Sequence, residues 1–178
     1  GMEAGGHRGA FDPNAAETTM VGLFSLIPAV ADAADIPVVA AGGIADGRNA
    51  AAALMLGASA VQVGTALLRA PEAAIAPAWA DALHGTAPED TIPTRAFSGR
   101  LGRSLRSDYA IAAAGGPAPA PYPIQRALTG AMRNDATQAG DATRMQAWAG
   151  QSAGRARAIP AQEIVDELWA DARALLGR

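Results

Sequence analysis

The stretch "IPVVAAGGIADGRNAAAALMLGASAVQVGTALL", residues 36–68, decides the fold. It opens on an apolar run from Ile36 to Ala41, turns through glycines, and reaches Asp46, whose carboxylate suits the N-cap of a helix. An alanine-rich helix follows, and Gly57 ends it. A second apolar run, Ala60 to Val63, closes on Gly64 before a short helix around Thr65 to Leu68. Two strands apolar on both faces and joined by a helix describe a βαβ unit with a parallel strand pair.

In both strands the glycines fall at the carboxyl end, where parallel α/β folds build their ligand sites. Taken singly, "AAGGI" and "QVGT" permit a tight turn as readily as a ligand. Together, one helix apart on neighbouring strands, they suit a phosphate, because a missing Cβ lets an anion approach backbone N–H groups. Thr65 would add a hydroxyl donor. The adjacent pair Gly42-Gly43 departs from G-x-G-x-x-G, and no Gly-Lys-Ser/Thr follows, so a barrel-type phosphate site fits better than a Rossmann one.

Outward from this unit, "TTMVGLFSLIPAVADAAD" (18–35) places Met20, Leu23, Phe24 and Ile27 at helical spacing, with Thr18 or Thr19 as the expected N-cap. "AAAGGPAPAPYP" (112–123) reads as a linker. The last helix, near Pro160 to Leu176, carries an apolar stripe of Ile164, Val165, Leu168, Trp169, Ala172 and Leu175.

Composition removes several classes of function. The chain has 178 residues and a net charge of −3, which argues against nucleic acid as a partner. No apolar run is long enough for a membrane span. With no cysteine and no visible signal peptide, the cytoplasm is the expected compartment, and no metal site is expected. All 14 basic residues are arginine, so Schiff-base and Walker-lysine chemistry is excluded. Half the residues are hydrophobic, yet only 3 Trp, 2 Tyr and 3 Phe are aromatic, and the expected core is thin.

"GMEAGGHRG" (1–9), the stretch "IPVVAAGGIADGRNAAAALMLGASAVQVGT" and "TRAFSGR" (94–100) resemble, in that order, the second half of the nitronate monooxygenases, an FMN-dependent family. "YPIQRAL", "AMR" and "WAGQSAG" are similar to the same family's C-terminal region. The resemblance implies the C-terminal part of an FMN-binding TIM (β/α)8 barrel within an α/β fold, followed by a mainly helical small domain. Residues 1–85 would be the partial barrel, 86–158 the helical and loop-rich part, and 159–178 a helix packed back on the barrel. It implies that Gly42, Gly43, Gln62, Val63, Gly64 and Thr65 contact FMN, that Gly5 lies against the flavin, and that His7 faces a nitronate or nitroalkane substrate that reacts with O2. Alone, a loop histidine reads as structural or exposed; its place in the motif favours catalysis. Imidazole suits the task because it titrates near neutrality. Glu3 reads equally as a general base or as a tie for its loop through backbone N–H groups, and it stays outside the expected catalytic set.

The related FMN- and NAD(P)H-dependent enoyl-acyl-carrier-protein reductases share a similar "GMEAGGH…TTM" stretch and remain open, as does a non-catalytic half-barrel. Only two barrel strands are evident where a closed barrel needs eight. The expectation is a truncated chain that needs its missing N-terminal half, or a homo-oligomer partner, for turnover. Arg95, Arg100, Arg103 and Arg106, flanked by acids, are expected on a solvated or salt-bridged face, His84 at a helix C-terminus, and Trp148 as a packing anchor.

Overall fold

The computed structural model describes residues 1–177; Arg178, the last residue of the expected 159–178 segment, lies outside the described residues. The chain is α/β. Strand β2 (Val39–Ala41) and β3 (Ala60–Gln62) run parallel, with Val39 opposite Ala60 and Ala41 opposite Gln62. Helix α2 (Gly47–Met55) crosses between them. Asp46 caps this helix by accepting the Asn49 N–H at 3.0 Å, and Gly57 leaves it at φ +109°, a conformation that favours glycine.

Helix α1 (Leu23–Ala33) precedes the unit, and its N-terminus departs from the expectation. The Thr18 and Thr19 hydroxyls both donate to the Ala15 carbonyl and cap nothing. Glu3 Oε1 instead accepts the Leu23 N–H at 2.8 Å, so the cap comes from the opening loop. Sequence-local capping rules miss a donor–acceptor pair made by tertiary approach.

Residues 91–105, inside the part expected to be helical, form an antiparallel hairpin of β4 (Thr91–Thr94) and β5 (Gly102–Leu105). The opening loop supplies a third strand, β1 (Gly6–His7), which pairs with β5 through Gly6–Arg103 and His7–Gly102. This sheet joins residues on both sides of position 85. Helix α4 (Asp108–Ala114) packs on β4, α3 (Pro77–Ala82) packs on the cluster that holds Leu105, α5 (Ile124–Leu128) lies against α6 (Gly130–Ala139), and α7 (Ala161–Leu175) packs on α2.

Two clusters form the core. Ile27, Ala40, Ile44, Ala50, Ala51, Ala53, Ala58, Leu168 and Ala172 lie under the parallel pair, and alanine dominates them because helix and strand approach closely. A Cβ on Gly47 would come within 2.7 Å of the Ala172 nitrogen, so glycine sets the α2–α7 distance. The second cluster holds Leu83, Leu105, Ala147, Ala149 and Ala153. Of the α7 stripe only Ile164, Leu168 and Ala172 are buried; Val165, Trp169 and Leu175 face outward because α2 covers a narrower arc than the stripe. Phe24, Ile36, Val39 and Met55 are also exposed. No helix among the described residues is long and apolar enough to cross a membrane.

Candidate active site at the strand ends

The opening loop is shaped by one arginine. The Arg8 guanidinium donates to the carbonyls of Gly1 at 3.0 Å, Met2 at 3.1 Å and Gly6 at 3.2 Å, and also to that of Ala4, so the loop curls around it. From below, buried Arg103 on β5 donates to the Met2 carbonyl at 3.0 Å and to the Thr91 carbonyl and hydroxyl. Arg103 is thus a buried strut and leaves the solvated face expected for it. Arg95 does pair with Glu17, and Arg100 donates to the Arg8 carbonyl.

Held this way, the loop lies across the carboxyl ends of β2 and β3. Gly42 (φ +119°) and Gly43 (φ +68°) need glycine for their backbone, and Cβ atoms there would press on Ala4 and Glu3 at 3.1–3.3 Å. The third wall is the 148–152 segment: Gln151 N–H donates to the Glu3 carbonyl at 2.9 Å, Gly150 N–H to Thr65 Oγ1 at 3.0 Å, and Ser152 Oγ to the Gly43 carbonyl at 2.6 Å. A Cβ on Gly5 would meet the Gly150 nitrogen at 2.7 Å, which makes Gly5 a crossing point of two backbones.

These three walls enclose a cleft of about 330 Å³. Gly5, Gly42, Gly43, Gln62, Gly64 and Thr65 all line it, together with Trp79, Trp148, Gly150 and Ser152. Val63 does not; its side chain packs with the core under the parallel pair, because alternate residues of a strand point to opposite faces. At Gly64, φ is −119° and a Cβ would meet nothing within 4 Å, so the residue leaves free space beside a short 3₁₀ turn, Thr65–Leu67. The first N–H groups of such a turn lack acceptors within it.

His7 lines a neighbouring cleft with Arg8, Met20 and Ala41, and the two clefts share Ala4 and Ala41. Trp148 stands on the boundary, edge-on to His7 at 5.1 Å, with Tyr122 at 6.0 Å on another side. His7 Nε2 is 2.8 Å from the Ser98 hydroxyl. Burial, followed by the charges of Arg100, Arg126 and Arg8, lowers its pKa below the ordinary 6.5, so the neutral ring is favoured at neutral pH. The other histidine, His84, sits beside Arg69, with Nδ1 3.1 Å from Nη1.

A phosphate-bearing flavin fits the cleft on two counts. Gly64 opens the space an anion needs, and the Thr65 hydroxyl proton is not consumed by Gly150. Sequence reading left out Trp79, Ser152 and Ser98. For the two serines the available signal was their place in "WAGQSAG" and "TRAFSGR"; for Trp79 there was none.

Residues 1–171 match the family described as nitronate monooxygenase. A Staphylococcus aureus protein named "Probable nitronate monooxygenase" is 40% identical over 169 residues, which is 94% of this chain and 48% of that protein. The solved nitroalkane oxidase from Streptomyces ansochromogenes superposes with a TM-score of 0.91 at 43% identity, over 99% of this chain and 52% of that one. FabK from Thermotoga maritima follows at 0.76 and 31%, over 99% and 54%. The chain spans about half the length of the curated relatives it matches.

Proposed function

Because the chain belongs to the nitronate monooxygenase family, we propose that its strand-end cleft holds FMN and that the complete protein converts alkyl nitronates, with O2, to a carbonyl compound and nitrite. The observation that carries this reading is the convergence of Gly5, Gly42, Gly43, Gln62, Gly64 and Thr65 on one cleft. When bound, the flavin supplies the electron-accepting and oxygen-reacting chemistry. Gly64 and Thr65 receive its phosphate through backbone N–H groups and the hydroxyl, and the Gly42–Gly43 turn admits its ribityl chain. His7, at the boundary marked by Trp148, holds the anionic nitro group or takes a proton from the adjacent carbon.

The open edge of β2 and the exposed Phe24, Ile36 and Val39 support a further part of this reading. These are the surfaces that preceding βα units of a TIM barrel would cover. On that basis the isolated chain binds FMN weakly and turns over only when the rest of the barrel is supplied.

The test is oxygen uptake and nitrite release from an alkyl nitronate, without NADH, by the chain joined to the preceding half. Nitrite release supports the reading. NADH-dependent reduction of a crotonyl thioester with no nitrite would establish a reductase instead, and neither activity in a flavin-loaded protein would leave a non-catalytic half-barrel.

A further inference from the structure

Ser98 is fully buried, and its hydroxyl has three polar neighbours. His7 Nε2 lies 2.8 Å away, the Arg100 carbonyl 3.2 Å, and the Arg100 N–H donates to Oγ at 3.3 Å. A hydroxyl has one proton and two lone pairs. The Arg100 N–H can only donate, so it takes one lone pair. The Arg100 carbonyl can only accept, and among the described residues Ser98 is the donor that reaches it. Within the described chain, that carbonyl is satisfied only by the Ser98 proton. The lone pair left over faces His7, which must then present an N–H.

We infer that Ser98 is a positioning residue that holds His7 in the Nε2–H tautomer and leaves Nδ1 as its unprotonated nitrogen. The opposite arrangement, with Ser98 donating to Nε2, would leave the Arg100 carbonyl without a donor from the described chain. Ser98 is itself held in place. Its N–H donates to the Arg95 carbonyl at 3.3 Å, and the carbonyl of its fully buried neighbour Phe97 accepts the Thr129 hydroxyl at 2.6 Å. Nδ1 makes no hydrogen bond among the described residues. It becomes the atom that meets the proton or the anionic substrate; only this last assignment rests on the proposed function.

The test is 15N NMR of the histidine side chains, with the His7 signals identified as those lost in His7→Gln. The expected spectrum at neutral pH shows Nε2 bearing a directly bonded proton and Nδ1 with the shift of an unprotonated ring nitrogen. The reverse pattern, or two averaged nitrogens, would overturn the inference. Folded Ser98→Ala should show averaged nitrogens, and an unchanged spectrum in it would remove Ser98 from the account. If Ser98→Ala does not fold, the wild-type spectrum still decides the tautomer. Neither flavin nor nitronate enters the measurement, so a failure to bind FMN or release nitrite counts against the proposed function alone.

Discussion

Gly150 donates its N–H to the Thr65 hydroxyl at 3.0 Å across 85 residues of sequence, and this bond closes the cleft between the parallel strand ends and the "WAGQS" segment. The threonine serves two partners: its oxygen accepts from Gly150 and its proton is left for a ligand. Thr65→Val should therefore lower both stability and flavin affinity. Leaving the Gly150 N–H without a partner costs about 1–3 kcal/mol, read by urea denaturation, while Thr65→Ser should stay close to wild type in both measurements. Equal FMN affinity in Thr65→Val would remove the hydroxyl from the phosphate site.

Two glycines of the same cleft should respond in opposite ways. Gly64→Leu places its side chain in open space at an ordinary φ, so the fold should persist while FMN retention falls sharply. Gly5→Ala forces a Cβ to 2.7 Å from the Gly150 nitrogen and should destabilise the chain by about 1–3 kcal/mol. Flavin titration and denaturation of both variants check this, and a Gly64→Leu protein that keeps its flavin would contradict the site.

His7 should titrate below 6.5, because burial and then the Arg100, Arg126 and Arg8 charges disfavour its cation. The sign for stability follows from proton binding. Between the depressed folded value and the unfolded 6.5, the unfolded state binds more protons, so the His7 contribution is present above pH 6.5 and is lost as pH falls through that window. NMR titration should give a midpoint below 6.5, and Arg126→Gln should move it upward; a wild-type midpoint at or above 6.5 would contradict the account.

Glu3 caps α1 from outside the helix, so its removal should loosen two elements together. Glu3→Ala should cost about 1 kcal/mol, the usual value of a lost N-cap, and increase amide exchange at Leu23. Normal protection of Leu23 in that variant would show that the bond contributes nothing.

Arg103 ties β5 to the opening loop and to Thr91 from a buried position. Arg103→Met should cost about 1–3 kcal/mol by removing the buried donor to the Thr91 carbonyl and hydroxyl and one of the two arginine donors to the Met2 carbonyl, which keeps Arg8, and it should weaken FMN binding indirectly through the loop. A stability change under 1 kcal/mol, within the range of an exposed pair, would mean those carbonyls find other donors.

The βαβ unit was legible in the residues because its signals are local. Asp46 caps the helix that begins one residue later, Gly57 ends it, and the apolar runs before Gly42 and Gly64 allow few conformations besides strands. The glycines of the cleft were legible for the same reason: absence of a Cβ matters wherever a ligand or backbone comes close. What tertiary structure alone decided were contacts between groups far apart in the chain. The β1–β5 pairing, the Glu3 cap on α1, the burial of Arg103 and the Ser98–His7 bond join residues separated by 20 to more than 90 positions. Hydrogen-bond partners at such distances are selected by packing, which brings one acceptor among many within 3 Å, and no pattern of neighbouring residues encodes which one.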